Sequence, residues 1–166
     1  MECECVALPD TVVVDMANPG RSMVHFDELQ VRGEPFWWLG VSRCAVCHTP
    51  WLVAQEERQN DVFVLRRLTT AELTGIVEAN RWPTYLDKYE TLLRLGHAAG
   101  HVAIFADPVG DSSLAWTMND LARERPGITV QELAELLALD PGTAAIIADQ
   151  AIIQHGASID IGTPLG

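Results

Sequence analysis

Four cysteines are the residues with the clearest chemistry in this chain of 166 residues. They form two close pairs, Cys3 with Cys5 and Cys44 with Cys47. Two close pairs of thiolates suit a tetrahedral Zn²⁺ site, because each pair can wrap one tight turn around the ion. Catalysis needs an open coordination position for water, and four thiolates leave none. We therefore expect all four cysteines to bind a structural Zn²⁺.

The Cys44-x-x-Cys47 pair lies between two predicted strands, and Trp51 follows just beyond it. In this setting it resembles the knuckle of a zinc ribbon, a turn that directs two sulfurs and several backbone N–H groups at one ion. The resemblance implies that the flanking strands pair as a hairpin. The first cysteine pair departs from the ribbon pattern, because Cys3 and Cys5 enclose a single residue and 38 residues separate the two pairs.

Two other uses of the second cysteine pair are alternatives. A thioredoxin-like redox site needs its C-x-x-C at the start of a helix, whereas Pro50 and a strand-like segment follow Cys47 here. The run from Cys44 to His48 also matches the pattern of c-type haem attachment, with His48 as axial ligand. That attachment takes place outside the cytosol and gives the first pair no role. A thiol redox enzyme using Cys44 and Cys47 is kept as an alternative to zinc.

Short motifs of known enzyme classes are missing from the sequence. There is no G-x-S-x-G, no glycine-rich phosphate loop and no zinc-deaminase signature. His97 and His101 have i, i+4 spacing but lack the H-E-x-x-H context. Glu56 and Glu57 are neighbours on a predicted strand, so they face opposite ways and cannot share acid–base work. We expect a binding protein and not an enzyme.

The charge balance indicates the kind of partner. Eleven basic residues stand against 23 acidic ones, which gives a formal net charge of −12. This balance argues against a nucleic-acid binder, which needs a basic face, and favours a basic protein partner. The acidic start of the chain does not match a secretory signal, and no apolar stretch is long enough to cross a membrane. The expected location is the cytoplasm.

Hydrophobic periodicity and turn residues predict an α+β fold, a small antiparallel sheet with a four-cysteine zinc knuckle followed by a helical C-terminal half. The predicted strands are 11–15, 36–43, 51–57 and 61–68, while 22–31 suits either a short helix or an irregular strand. Capping boxes at Thr69 and Thr129 open two helices. Further helices are predicted at 85–95, ended by Gly96, at 112–125, capped by Ser112 or Ser113, and at 143–154. A lone buried strand is predicted at His101–Phe105. The zinc-stapled β-rich part would span 1–68 and the helical part 69–166, packed as a single domain.

Residues 128–152 resemble a helix-turn-helix, with a capped helix, a break at Asp140-Pro141-Gly142 and a second helix. The resemblance implies a regulatory protein that contacts DNA or a transcription component. DNA-binding members of this class carry basic groups to phosphates, but no Lys or Arg follows Arg125. A helix-turn-helix regulator is therefore a second alternative, with nucleic acid disfavoured by charge.

Adjacent tryptophans provide a candidate partner surface. Trp37 and Trp38 lie in one predicted strand, so one ring should point to each face of the sheet. Tryptophan is enriched at interface hot spots, and acidic groups speed association with a basic protein. Trp37, Trp38, Glu56 and Glu57 are the predicted partner-binding residues. In size and charge the chain resembles bacterial immunity proteins, which implies an inhibitor that neutralises a basic partner.

Overall fold

A computed structural model describes residues 2–20, 22–33 and 37–162. The predicted α+β class is confirmed, since a five-stranded antiparallel sheet carrying the cysteines precedes the helices. Chain contacts define two compact units, Met1–His101 and Val102–Gly166. The sequence-based division at residue 68 follows the change from strands to helices, whereas this division follows contacts.

The first unit is built on the sheet. Its strands are β1 (Thr11–Asp15), β2 (Phe26–Gly33), β3 (Trp38–Cys44), β4 (Pro50–Glu56) and β5 (Val62–Arg67), in the spatial order β1-β5-β4-β3-β2. The ambiguous segment 22–31 contributes a strand and not a helix. Its pairing with β3 shifts register between Glu28 and Gln30, which makes Leu29 an extra residue in a β-bulge.

The strand register divides the sheet into two faces, because successive side chains point to opposite sides. What we call the cysteine face carries Cys44, Trp51 and Leu65. The opposite face, called the helix face, carries fully buried apolar residues such as Leu52 and Val64. Two helices follow the sheet in this unit, α1 (Thr70–Ala79) and α2 (Tyr89–Ala98), and α2 packs against β5.

The ends of these helices show how local and tertiary signals differ. At α1 the predicted capping box forms, with Thr69 and Glu72 each accepting a hydrogen bond from the other's backbone N–H. The prediction that Gly96 ends α2 is wrong, because the helix continues to Ala98. Gly96 instead allows close packing, since a Cβ there would lie 2.7 Å from Nδ2 of Asn60.

The predicted buried strand at His101–Phe105 is wrong. The segment has no regular secondary structure and pairs with no strand in the described part of the chain. Ile104 is 93% exposed, so the apolar run does not enter a core. An apolar pattern makes a strand only where a neighbouring strand pairs with its backbone N–H and C=O groups.

The second unit contains α3 (Ser112–Glu124), β6 (Ile128–Thr129), α4 (Val130–Leu137), α5 (Pro141–His155) and β7 (Ile159–Asp160). The predicted capping box at Thr129 opens α4, while α3 is capped by Asp111 and not by a serine. Both α3 and α4 pack on α5, and β6 pairs in parallel with β7. No single helix in the described ranges has the length and hydropathy needed to cross a bilayer; α4 and α5 pass that test only as a pair bent by 110°.

Candidate metal centre

The fold brings the four predicted cysteine ligands together. The sulfurs of Cys3, Cys5, Cys44 and Cys47 all lie within 4.8 Å of one another. In a tetrahedral site with metal–sulfur bonds of about 2.3 Å, sulfurs are about 3.8 Å apart, so small side-chain adjustments would complete the geometry. Cys5 and Cys44 are buried, and the other two are partly exposed. This arrangement can hold a metal ion.

The second cysteine pair lies at the turn between two paired strands, which is consistent with the predicted knuckle. Cys44 is the last residue of β3, and Cys47 lies in the turn that leads into β4. The N–H of Cys44 donates to the carbonyl of Thr49 at 3.0 Å, and the N–H of His48 donates to the carbonyl of Cys44 at 2.9 Å. His48 has a left-handed backbone, with φ of 62°, and its side chain is outside the sulfur cluster. Among the described residues, the group that could hold a metal here is therefore the four cysteines, without this histidine.

The first cysteine pair is held in place by an arginine on the sheet. Cys5 begins a single 3-10 turn, Cys5–Ala7. One terminal nitrogen of Arg67, the last residue of β5, donates to the carbonyls of both Cys5 and Leu8 at 2.8 Å. Its Nε contacts Asp10 at 3.1 Å. Arg67 was not among the predicted site residues, although its place in the alternation after Phe63 and Leu65 indicates the cysteine face.

Trp51 forms the floor of the site. Its side chain is fully buried, stacks with Phe26 at a centroid distance of 6.1 Å, and lies under the guanidinium of Arg67 at 4.5 Å. Its indole N–H is buried without a hydrogen-bond partner, and it lies near enough to the Cys5 thiol to lower the pKa of that group. A thiolate is the acceptor that would satisfy this buried donor.

The electrostatics of the cluster depend on burial and on donors to sulfur. Burial raises the pKa of the Cys5 thiol to about 12, although the indole of Trp51 acts in the opposite direction. Burial also raises the pKa of Cys47, but donors outweigh it and bring that pKa down to about 6. The main donors are the hydroxyl and the backbone N–H of Thr49, and its Oγ1 lies 3.2 Å from the sulfur. Such donors favour the thiolate, the form that binds metals.

The predicted partner residues divide into two interior and two surface positions. Trp37 is 5% exposed and stacks on Tyr89 at a centroid distance of 5.7 Å. Glu56 is fully buried. Trp38 is 55% exposed, and Glu57 is also exposed. Trp37 immediately precedes β3 and Glu57 immediately follows β4, and neighbouring residues of an extended chain point to opposite sides. Of these four residues, only Trp38 and Glu57 are accessible to a partner.

Glu56 has a structural role and not the predicted partner-binding one. Its carboxylate accepts hydrogen bonds from the backbone N–H groups of Arg58, Gln59 and Asn60, at 3.0, 2.9 and 2.7 Å. It also accepts one from the hydroxyl of Tyr89 at 2.6 Å. These bonds close the β4–β5 turn and tie it to α2. Glu56 lies four residues after Leu52 on β4, so strand alternation places both on the helix face. This alternation is the sequence signal that indicated burial of Glu56.

Comparisons with known proteins yield no relative: no family model, no curated protein and no solved structure matches the chain. The cysteine cluster is consistent with the zinc-knuckle resemblance. No match supports a specific family or the immunity-protein resemblance. The function is therefore inferred from the site itself.

Proposed function

We propose that the four cysteines bind one structural Zn²⁺ and that the protein is a cytoplasmic module that binds and neutralises a basic protein. The convergence of four sulfurs within 4.8 Å carries the metal assignment. Thiolate ligands in a tetrahedral arrangement select Zn²⁺ over the hard cations Mg²⁺ and Ca²⁺. The ion would fasten the segment around Cys3 and Cys5 to the end of the sheet, and so stabilise the fold.

The lack of an open coordination position in the proposed metal site supports a binding role over a catalytic one. Four thiolates complete the tetrahedral coordination of the ion, so no coordination position is left for water or substrate. The buried ring of Trp51 and the guanidinium of Arg67 cover the side of the site that faces the sheet. In the competing redox role, Cys44 and Cys47 would act alone, and the nearby sulfurs of Cys3 and Cys5 would have no function.

The charge of the chain supports a basic protein as the partner. The net charge is −12, and acidic groups speed encounter with a basic surface. The helix-turn-helix alternative has weaker support. The helices α4 and α5 are bent by 110°, within the range of that motif. However, the exposed side chains of α5 include Ile146, Asp149 and Ile153 and no base, so this helix would repel phosphates.

Affinity capture at low and at high salt tests the proposed partner. The metal-loaded protein is immobilised, and retained proteins from the cell that produces it are identified by mass spectrometry. We expect one stoichiometric basic protein that is released as salt rises, because screening weakens charge attraction. A matched capture with protein stripped by a chelator should retain less of it. A partner that is acidic, or that is retained equally at all salt concentrations, would contradict the proposal.

A further inference from the structure

Beyond the metal site, the cysteine face of the sheet contains an open groove of about 220 Å³. It crosses four strands, from the edge strand β2 to β5. Apolar side chains form its walls, including Val31, Trp38, Val53 and Phe63. Val31 is 43% exposed and Trp38 is 55% exposed, so the walls are accessible to another molecule.

Small residues give this groove its depth and hold its main aromatic ring. Gly40 lies in the middle of the groove, where a Cβ would approach the carbonyl oxygen of Gln30 to 3.2 Å. The ring of Trp38 lies over Gly33 on the neighbouring strand, since a Cβ there would be 3.7 Å from Cζ3 of the indole. The Trp38 ring is therefore supported by the sheet before any partner binds, which lowers the entropy cost of binding.

The strand beside the groove has a free edge. No strand pairs with the outer side of β2 in the described ranges. An edge strand presents unpaired backbone N–H and C=O groups, which an extended chain can pair with as an added strand. Leu29 and Val31 on this strand are 39% and 43% exposed. An added strand would lie directly alongside the groove.

The charges around the groove favour a basic occupant. Glu28, an exposed residue of β2, lines it. Across the groove, the side-chain amide of Gln55 donates to the carboxylate of Glu57. None of the described residues lining the groove is a lysine or an arginine. A second copy of this chain would bring the same carboxylates together, so charge disfavours self-association here.

We propose that this groove and the edge of β2 bind an extended, basic and apolar segment of a protein partner. The segment adds a strand beside β2, places a lysine or arginine against Glu28, and seats an apolar side chain between Val31 and Trp38. Side chains on one face of a strand are two residues apart, so the segment carries its basic and apolar residues at i and i+2. This inference rests on the proposed function, because it specifies where the basic partner binds.

Selection from a phage-displayed library of random dodecapeptides on the metal-loaded full chain tests this site. We expect enrichment of peptides with Lys or Arg two residues from a large apolar residue. Fluorescence anisotropy then measures the affinity of the enriched peptide for variants. Trp38→Ser and Glu28→Lys should each weaken binding by about tenfold or more.

Two matched variants separate a local effect from a general one. Trp116→Ser removes a tryptophan that is 49% exposed in the second unit, and Glu78→Lys makes the same charge change on an exposed position of α1. Both should leave peptide affinity within about twofold. Circular dichroism confirms that each variant keeps its fold.

Selection without a basic and apolar consensus, or peptides that bind Trp38→Ser and Glu28→Lys as tightly as the wild-type chain, would overturn the groove assignment. The captured basic protein distinguishes this from failure of the proposed function. If that protein binds the two groove variants with wild-type affinity, the groove assignment fails and the proposed function stands. If no salt-sensitive basic protein is captured, the proposed function fails.

Discussion

Arg67→Ala should weaken metal binding without removing any ligand. The substitution removes two hydrogen bonds of 2.8 Å, to the carbonyls of Cys5 and Leu8. Each hydrogen bond to a charged group contributes about 1.5–3 kcal/mol. The arginine side chain is 27% exposed and its Asp10 partner is 71% exposed, so solvent screens that ion pair and we assign it almost nothing. A loss of about 3 kcal/mol in the ordering of this segment corresponds to about 100-fold weaker metal binding.

Competition with a chromophoric chelator under reducing conditions measures this loss as a change in apparent Kd for Zn²⁺. Arg66→Ala is the matched control, because Arg66 is the neighbouring arginine but points to the helix face. It donates to Oγ1 of Thr11 at 3.0 Å and lies 4.4 Å from the ring centroid of Tyr85. This control should stay within about twofold of wild type. A folded Arg67→Ala protein with wild-type zinc affinity would show that these two hydrogen bonds do not support the metal site.

Three further predictions concern Trp51, Glu56 and Glu132. Trp51→Phe keeps a buried aromatic ring but removes the unpaired indole N–H near Cys5, so the same competition assay should show about tenfold weaker zinc binding; an unchanged Kd would exclude that N–H from the site. Glu56→Gln replaces a buried carboxylate that accepts four hydrogen bonds, so the free energy of unfolding in urea should fall by about 3 kcal/mol. A loss below about 1 kcal/mol, no more than one ordinary hydrogen bond, would contradict that role. The backbone N–H of Thr129 holds the pKa of Glu132 at about 2, below its ordinary 4.5. The stabilisation from ionised Glu132 should therefore be complete above pH 4.5 and be lost as the pH falls towards 2. An NMR titration of this carboxyl in the folded protein with a midpoint near 4.5 would contradict this prediction.

Local signals in the sequence predicted much of the fold. The capping boxes at Thr69 and Thr129 predicted the starts of two helices correctly, because their hydrogen bonds join residues only three apart. The cysteine spacing predicted a ligand cluster that the structure brings together. The capping signal depends on residues close together in the chain. The cysteine signal depends on the fixed number of ligands that a metal ion requires.

The remaining features depend on contacts that a single sequence does not display. Gly96 was expected to end a helix, but it lies within α2, where Asn60 from the β4–β5 turn packs against it. The segment His101–Phe105 has the composition of a strand and no strand to pair with among the described residues. Glu56 and Arg67 are charged residues at buried or partly buried positions, and their partners are brought to them by the turn and by the N-terminal segment.

X-ray absorption at the zinc K-edge of the purified protein tests the proposed metal site. We expect one zinc per chain with four sulfur neighbours at about 2.3 Å and no nitrogen or oxygen ligand. Replacing Cys3 by serine should remove one sulfur from that shell, since Cys3 belongs to the cluster. A folded protein without zinc, or a shell that keeps four sulfurs in Cys3→Ser, would contradict the assignment.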